Sequence, residues 1–173
     1  MSMSSSTSKR CQGGAVMVEF AILFTVLVIL FVGITELGRA LFFQHKLLKA
    51  VESGARFMGR GWEAVDSETC AEGSGWAAAV TAAANLAVYG RTTDTDAATP
   101  AITNFDPTDV TVSVEARDVT DVGTVCVVRV DASVLYAGLF FGGGGFLPPI
   151  IMGGDPGGSW TLTASSEERY VGD

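Results

Sequence analysis

An apolar run near the N-terminus constrains this chain more than any other feature. Residues 15–35 form a stretch of twenty-one in which Glu19 is the only charged residue. A helix that crosses the hydrocarbon core of a bilayer needs about 20 predominantly apolar residues. The run is long enough if Glu19 is neutralised or lies at the membrane interface. We therefore expect one membrane-spanning helix, with the bulk of the chain folded outside the bilayer.

A removed secretory signal peptide is the alternative explanation, with its apolar core at residues 20–32. No convincing small-x-small cleavage site follows that core, and the helical pattern continues past it. The continuation carries Leu37, Leu41, Leu48, Val51 and Ala55 at spacings of three, four or seven. We therefore expect a retained anchor, whose second half docks this stripe on the exported domain or on a neighbouring subunit.

Charge sets the orientation and excludes one class of partner. The leader, residues 1–14, has Lys9 and Arg10 as its only charged residues, so the positive-inside rule places it in the cytoplasm. The whole chain has a net charge of −8. Because binding to a phosphate backbone depends on clustered cations, we expect no nucleic acid partner.

The rest of the chain predicts a small α+β domain. We expect a helix from residue 15 to about residue 58 and a second, Ala-rich helix at 76–89. Alternating apolar residues predict antiparallel strands at 110–116, 126–134 and 160–164, the first two as a hairpin. A Gly- and Pro-rich segment at 138–158 separates the last two. The resulting division is a leader (1–14), a transmembrane and amphipathic helix (15–59) and an exported α+β domain (60–173).

The start of the apolar run contains a candidate processing site. Gly14 precedes Ala15, and Glu19 and Phe20 follow at the fifth and sixth positions. A lone carboxylate near the end of a membrane helix is unfavourable unless it is paired. Cleavage after Gly14 would create an α-ammonium at Ala15, about one helical turn from Glu19. The junction thus suggests a precursor that is cut on the cytoplasmic side and then assembles side by side.

This junction resembles the processing site of type IV prepilins. Two further boxes are similar to those of TadE-like pseudopilins of the tight-adherence (Flp) pilus system. They are the Glu-Leu-Gly-Arg box, Glu36, Leu37, Gly38 and Arg39, and the Ser-Gly-Ala-Arg box, which includes Gly54, Ala55 and Arg56. The resemblance covers roughly residues 13–59.

The resemblance implies a minor pilin or pseudopilin, in or at the base of a surface pilus, that pairs Glu19 with the N-terminus of an adjacent subunit. Its expected partners are a prepilin peptidase, other pilins of the same pilus, an inner-membrane assembly platform and membrane lipid. We expect a peptidase substrate, not an enzyme, and no cofactor. The alternative is a single-pass anchored binding or sensor module on the extracytoplasmic side.

Cysteine and histidine positions complete the sequence prediction. Cys70 and Cys126 lie in the exported part, where thiols tend to be oxidised, and they are too far apart for a Cys-x-x-Cys motif. We expect a structural disulfide between them, the alternative being two buried free thiols. His45 is the only histidine, and we expect a solvated helix residue there and no metal site.

Overall fold

The computed structural model describes residues 12–61, 63–93, 98–136, 138 and 160–171. The chain divides into two units, Met1–Gly38 and Arg39–Asp173. In its described part the first unit is the N-terminal portion of one helix. The second unit contains the rest of that helix, a second helix and a sheet. This arrangement confirms the predicted α+β class with a long N-terminal apolar helix.

Helix α1 comprises Gln12–Gly59, 48 residues without a proline. It is long and apolar enough, over Gly14–Gly59, to cross a membrane. Unbroken helix is expected here because a segment in hydrocarbon must satisfy its backbone hydrogen bonds internally. The predicted end near residue 58 is confirmed: the backbone N–H groups of Arg60 and Gly61 donate to the carbonyls of Phe57 and Met58 in a closing turn.

The buried face of α1 in the second unit differs from the predicted stripe. Val51 and Ala55 are buried as expected, but Leu37, Leu41 and Leu48 are exposed. The buried row is Ala40, Leu47, Val51, Ala55 and Met58. Apolar residues occupy both 40 and 41 and both 47 and 48, so two adjacent rows satisfy the helical period equally well. Periodicity alone cannot show which row the domain covers, and docking of the exposed leucines on a neighbouring subunit stays a prediction.

Helix α2 comprises Trp76–Tyr89, as the Ala-rich pattern predicts. It ends at Gly90, whose φ of 71° is left-handed and whose N–H donates to the Leu86 carbonyl. A residue with a Cβ is disfavoured in this conformation, so glycine suits the C-terminal cap.

The sheet has three antiparallel strands in the order β1-β2-β3. They are β1 (Val110–Val119), β2 (Gly123–Tyr136) and β3 (Trp160–Arg169). Strand β1 pairs with β2 from Val110↔Ala132 to Val119↔Gly123, which confirms the predicted hairpin. Strand β3 is longer than the predicted 160–164. Apart from Gly138, the Gly-rich segment 138–158 lies outside the described residues.

The core lies between the inner face of the sheet and the two helices. One buried cluster contains Leu47, Val88, Phe105 and Val130, and a second contains Met58, Val128 and Tyr170 with Cys70 and Cys126. The Tyr170 hydroxyl donates to the Gly61 carbonyl (2.8 Å), so the end of β3 is tied to the end of α1. At the other end of the sheet, Tyr136 lies against Phe43. Strand β2 therefore runs antiparallel to the helix segment that it covers.

Candidate functional site

The predicted cleavage point lies in the first turns of α1. Gly14 and Ala15 are exposed, and a Cβ added at Gly14 would meet nothing within 4 Å. Glycine at this position is therefore not required by the packing of the chain itself. Cleavage after Gly14 remains a prediction, and the open surroundings mean that a substitution there would report on the protease and not on folding.

Glu19 and Phe20 lie on an apolar helix surface that the described chain leaves uncovered. Large apolar side chains from Val16 to Phe31 are 43–72% exposed. Phe20 stacks on Phe24, with ring centroids 5.9 Å apart. Among the described residues no ion pair involves Glu19. The surface is thus an apolar helix with one carboxylate available to an external cation.

The Glu-Leu-Gly-Arg box combines buried and exposed residues. Glu36 is only 1% exposed, whereas Leu37 is exposed and a Cβ added at Gly38 would meet nothing within 4 Å. Arg39 is half-buried and borders a cavity of about 190 Å³ beside Phe43 and Tyr136. Glu36 and Arg39 each have an interaction partner. Both charged residues of this box are therefore engaged within the folded chain.

The second box has a packing role. A Cβ at Gly54 would lie 3.4 Å from the Ala83 carbonyl oxygen of α2 and 3.7 Å from Val130 of β2. Ala55 is fully buried. Arg56 is exposed and pairs with Glu52 one turn earlier. Small residues at 54 and 55 therefore let α1 approach both α2 and the sheet closely.

The predicted disulfide is confirmed. Cys70 and Cys126 are bonded, with Cα atoms 5.2 Å apart and a sequence separation of 56 residues. The bond joins the loop after α1 to β2. In that loop, Asp66 accepts backbone N–H groups from Glu68 and Thr69, which lowers the pKa of its carboxyl group.

Ion pairs lie on the outer face of the sheet. Arg117 donates to Glu167 across the sheet (2.8 Å), and Arg129 pairs with Asp131. The hydrogen bond and charge of Arg117 lower the pKa of Glu167, and those of Glu167 raise the pKa of Arg117. This charged, solvated face is poorly suited to an apolar partner.

The structure does not gather the predicted residues into one site. Residues 14–20 lie on the first unit, whereas Gly54, Ala55, Cys70 and Cys126 serve the packing of the second. Sequence reasoning missed a set of aromatic rings at the end where the chain enters the second unit: Phe42, Phe43, Tyr136 and Trp160. The signal was present as aromatic residues shortly after the apolar run and at the facing ends of two strands.

Comparison with known proteins gives one match. The family described as TadE-like protein matches residues 14–56. These 43 residues are about a quarter of the 173-residue chain. The match confirms the resemblance and contains the junction and both boxes. No curated protein and no solved structure matches the chain.

Proposed function

Because residues 14–56 match the TadE-like family, we propose that the protein is a minor pilin or pseudopilin that takes part in assembling a tight-adherence pilus. A prepilin peptidase removes residues 1–14. The mature chain is held in the inner membrane by α1, with its exported domain on the extracytoplasmic side. Other pilins of the same pilus and an inner-membrane platform are its partners, and the protein itself is not an enzyme.

The observation that supports this proposal most is the position of Glu19 on an exposed apolar helix surface. Its carboxylate stands on an exposed apolar helix surface, with no ion-pair partner among the described residues. A charge within the membrane is expected to pair with another or to line a functional path. After cleavage, the α-ammonium of Ala15 of a neighbouring subunit is a cation at the corresponding depth. Pairing of the two groups would hold adjacent helices side by side.

A matched pair of variants tests this role. We expect Glu19→Gln to be inserted and cleaved normally, because the scissile bond lies a full turn away, but to lose crosslinking to pilus partners and surface piliation at least ~10-fold. A pairing energy of about 1.4 kcal/mol would suffice for that factor. The control Thr25→Val removes a polar group from the same helix without a change of charge. Cells with this variant should assemble surface pili normally.

Intact-mass measurement of the membrane-extracted protein tests the processing step. The mature chain should begin at Ala15, and Gly14→Val should keep the leader. Since there is open space at Gly14, retention would reflect peptidase recognition. An uncut wild-type chain together with normal piliation of Glu19→Gln would contradict the proposal and favour the anchored binding or sensor module.

A further inference from the structure

The end of the second unit at which the chain enters it carries exposed apolar side chains from the helix and from the inner face of the sheet. We call this area the proximal surface and define it by Leu41, Phe42 and Trp160. Their exposed fractions are 58%, 59% and 50%. The outer face of the same sheet carries ion pairs instead, so the apolar character is local to this end.

Aromatic contacts hold the helix side and the sheet side of this surface together. The ring centroids of Phe42 and Phe43 lie 6.4 Å apart, those of Phe43 and Tyr136 5.3 Å, and those of Tyr136 and Trp160 6.5 Å. Tyr136 and Trp160 are also register partners in the sheet. The side-chain amide of Gln44 donates to the Thr163 carbonyl (2.8 Å), which fixes β3 against the helix. The surface is therefore a built feature that brings together residues distant in sequence.

The proximal surface follows the membrane-spanning residues closely in the chain. Phe42 comes seven residues after Thr35, the last residue of the apolar run, and seven helical residues reach only about 10 Å. The headgroup region adds roughly 5–8 Å to each side of the hydrocarbon core. Side chains on a helix tilt toward its N-terminus, so Leu41 and Phe42 lean back toward the span. They can reach the headgroup layer on the exported side.

Charge favours the same location. Residues 37–51 contain Arg39, His45, Lys46 and Lys49 but no acid, in a chain with 19 acids and 11 Lys and Arg residues. The Lys46 ammonium lies 4.9 Å from the centroid of the Phe42 ring. In the Cys70 loop, at the opposite end of the unit, the exposed charges are the acids Glu63, Asp66, Glu68 and Glu72, and the exposed cations Arg56 and Arg60 lie nearby at the end of α1. Cations and aromatic rings are the residues that favour a membrane interface, and carboxylates are repelled by lipid phosphates.

We propose that the proximal surface docks on the phosphate headgroups of the exported leaflet. The occupant is the lipid surface, because the patch is continuous in sequence with the span and its charge complements anionic headgroups. Trp160 enters the interfacial layer, while Lys46 and Lys49 bind lipid phosphate. This inference rests on the anchored topology of the proposed function and requires no other pilus component.

Depth-resolved fluorescence of the full chain tests the docking. The chain contains three tryptophans, so Trp62→Phe with Trp76→Phe leaves Trp160 as the sole reporter. In vesicles of phosphatidylcholine and phosphatidylglycerol, lipids brominated near the headgroup should quench Trp160 at least ~2-fold. The control keeps Trp76 alone, packed against the buried cluster that contains the disulfide, and should show no lipid quenching.

Two results would overturn the proposal. Quenching of Trp160 by aqueous iodide but not by brominated lipid would mean that the surface faces water. Protection from both quenchers would mean that protein covers it. The vesicles hold no pilus partner, and Glu19→Gln should leave the quenching unchanged, so failure here is distinguishable from failure of the assembly role.

A charge variant adds a second criterion. Lys46→Gln with Lys49→Gln should remove the dependence of Trp160 quenching on the phosphatidylglycerol content. The matched control Arg60→Gln removes an exposed cation at the far end of α1 and should preserve that dependence. Equal dependence on anionic lipid in all three proteins would contradict a role for these lysines in docking.

Discussion

The two units of this chain are constrained by different surroundings. In the first, large apolar side chains of α1 are exposed along the described helix, and the family pattern begins there. In the second, similar side chains are buried between helices and sheet, and the sequence beyond residue 56 lies outside the family match. The first unit thus leaves its apolar helix surface uncovered by the described chain, whereas the second unit packs mainly against itself. A recurring sequence pattern is thus not a measure of internal packing.

Residues 54–56 refine this comparison because they belong to both patterns. They lie inside the family match, yet Gly54 and Ala55 are packed against α2 and β2. The matched region therefore combines residues on an uncovered helix surface with residues that attach the helix to the rest of the second unit.

The largest effect on stability should come from the disulfide. Replacing both cysteines, Cys70→Ser with Cys126→Ser, should lower the free energy of unfolding of the second unit by about 4 kcal/mol in the chain-entropy model, given a separation of 56 residues. Denaturant unfolding monitored by circular dichroism would measure the loss. Membrane insertion of α1 should be unchanged. A loss below about 1 kcal/mol would mean that packing alone holds the domain.

Adjacent leucines on α1 test the corrected buried face. Leu47 is 1% exposed and Leu48 is 39% exposed. Leu47→Ala should reduce the free energy of unfolding by about 2–4 kcal/mol, because it leaves a cavity in the core. Leu48→Ala should cost less than about 1 kcal/mol. The reverse ranking in denaturant titrations would restore the stripe that periodicity predicts.

One substitution placed in each family box compares the two regions directly. Gly54→Leu should destabilise the domain by about 1–3 kcal/mol, because the added atoms meet the Ala83 carbonyl and Val130. Gly38→Leu has open space and should change the free energy of unfolding of the second unit by less than about 0.5 kcal/mol. Equal losses would show that both boxes serve internal packing.

The sequence predicted the elements well because their signals are local. The apolar run, the Ala-rich helix before Gly90 and the alternating strands around Val112 and Val130 each carry their period within a few residues. The disulfide could be predicted because Cys70 and Cys126 were both expected on the exported side, where thiols tend to be oxidised. The choice between the Leu47 and Leu48 rows was not, since it depends on where the sheet lies.

The candidate sites divide in the same way. The junction at Gly14 and Glu19 can be read from the chain because its chemistry is contained in six consecutive residues. The proximal surface could not be predicted, because it joins Phe42 to Trp160 through strand register and ring contacts. The packing role of Gly54 likewise required the position of α2.

The smallest expected effect concerns the ion pair on the outer face of the sheet. Arg117 lowers the pKa of Glu167 in the folded state, so the pair adds stability above the unfolded pKa of Glu167, and this is lost as pH falls through the lower folded pKa. Glu167→Gln should therefore be slightly less stable than wild type near pH 7, and the difference should shrink in acid. The effect is small because both side chains are substantially exposed, and added salt should reduce it further.

Glu68→Gln, which removes a carboxylate from the Cys70 loop, controls for net charge. Thermal unfolding from pH 3 to pH 7 would measure both variants, and a Glu167→Gln difference that grew toward low pH would contradict the assigned role of Arg117. A confirmed result would show that even the polar face of the second unit is organised by its own residues, in contrast to Glu19, whose proposed partner belongs to another subunit.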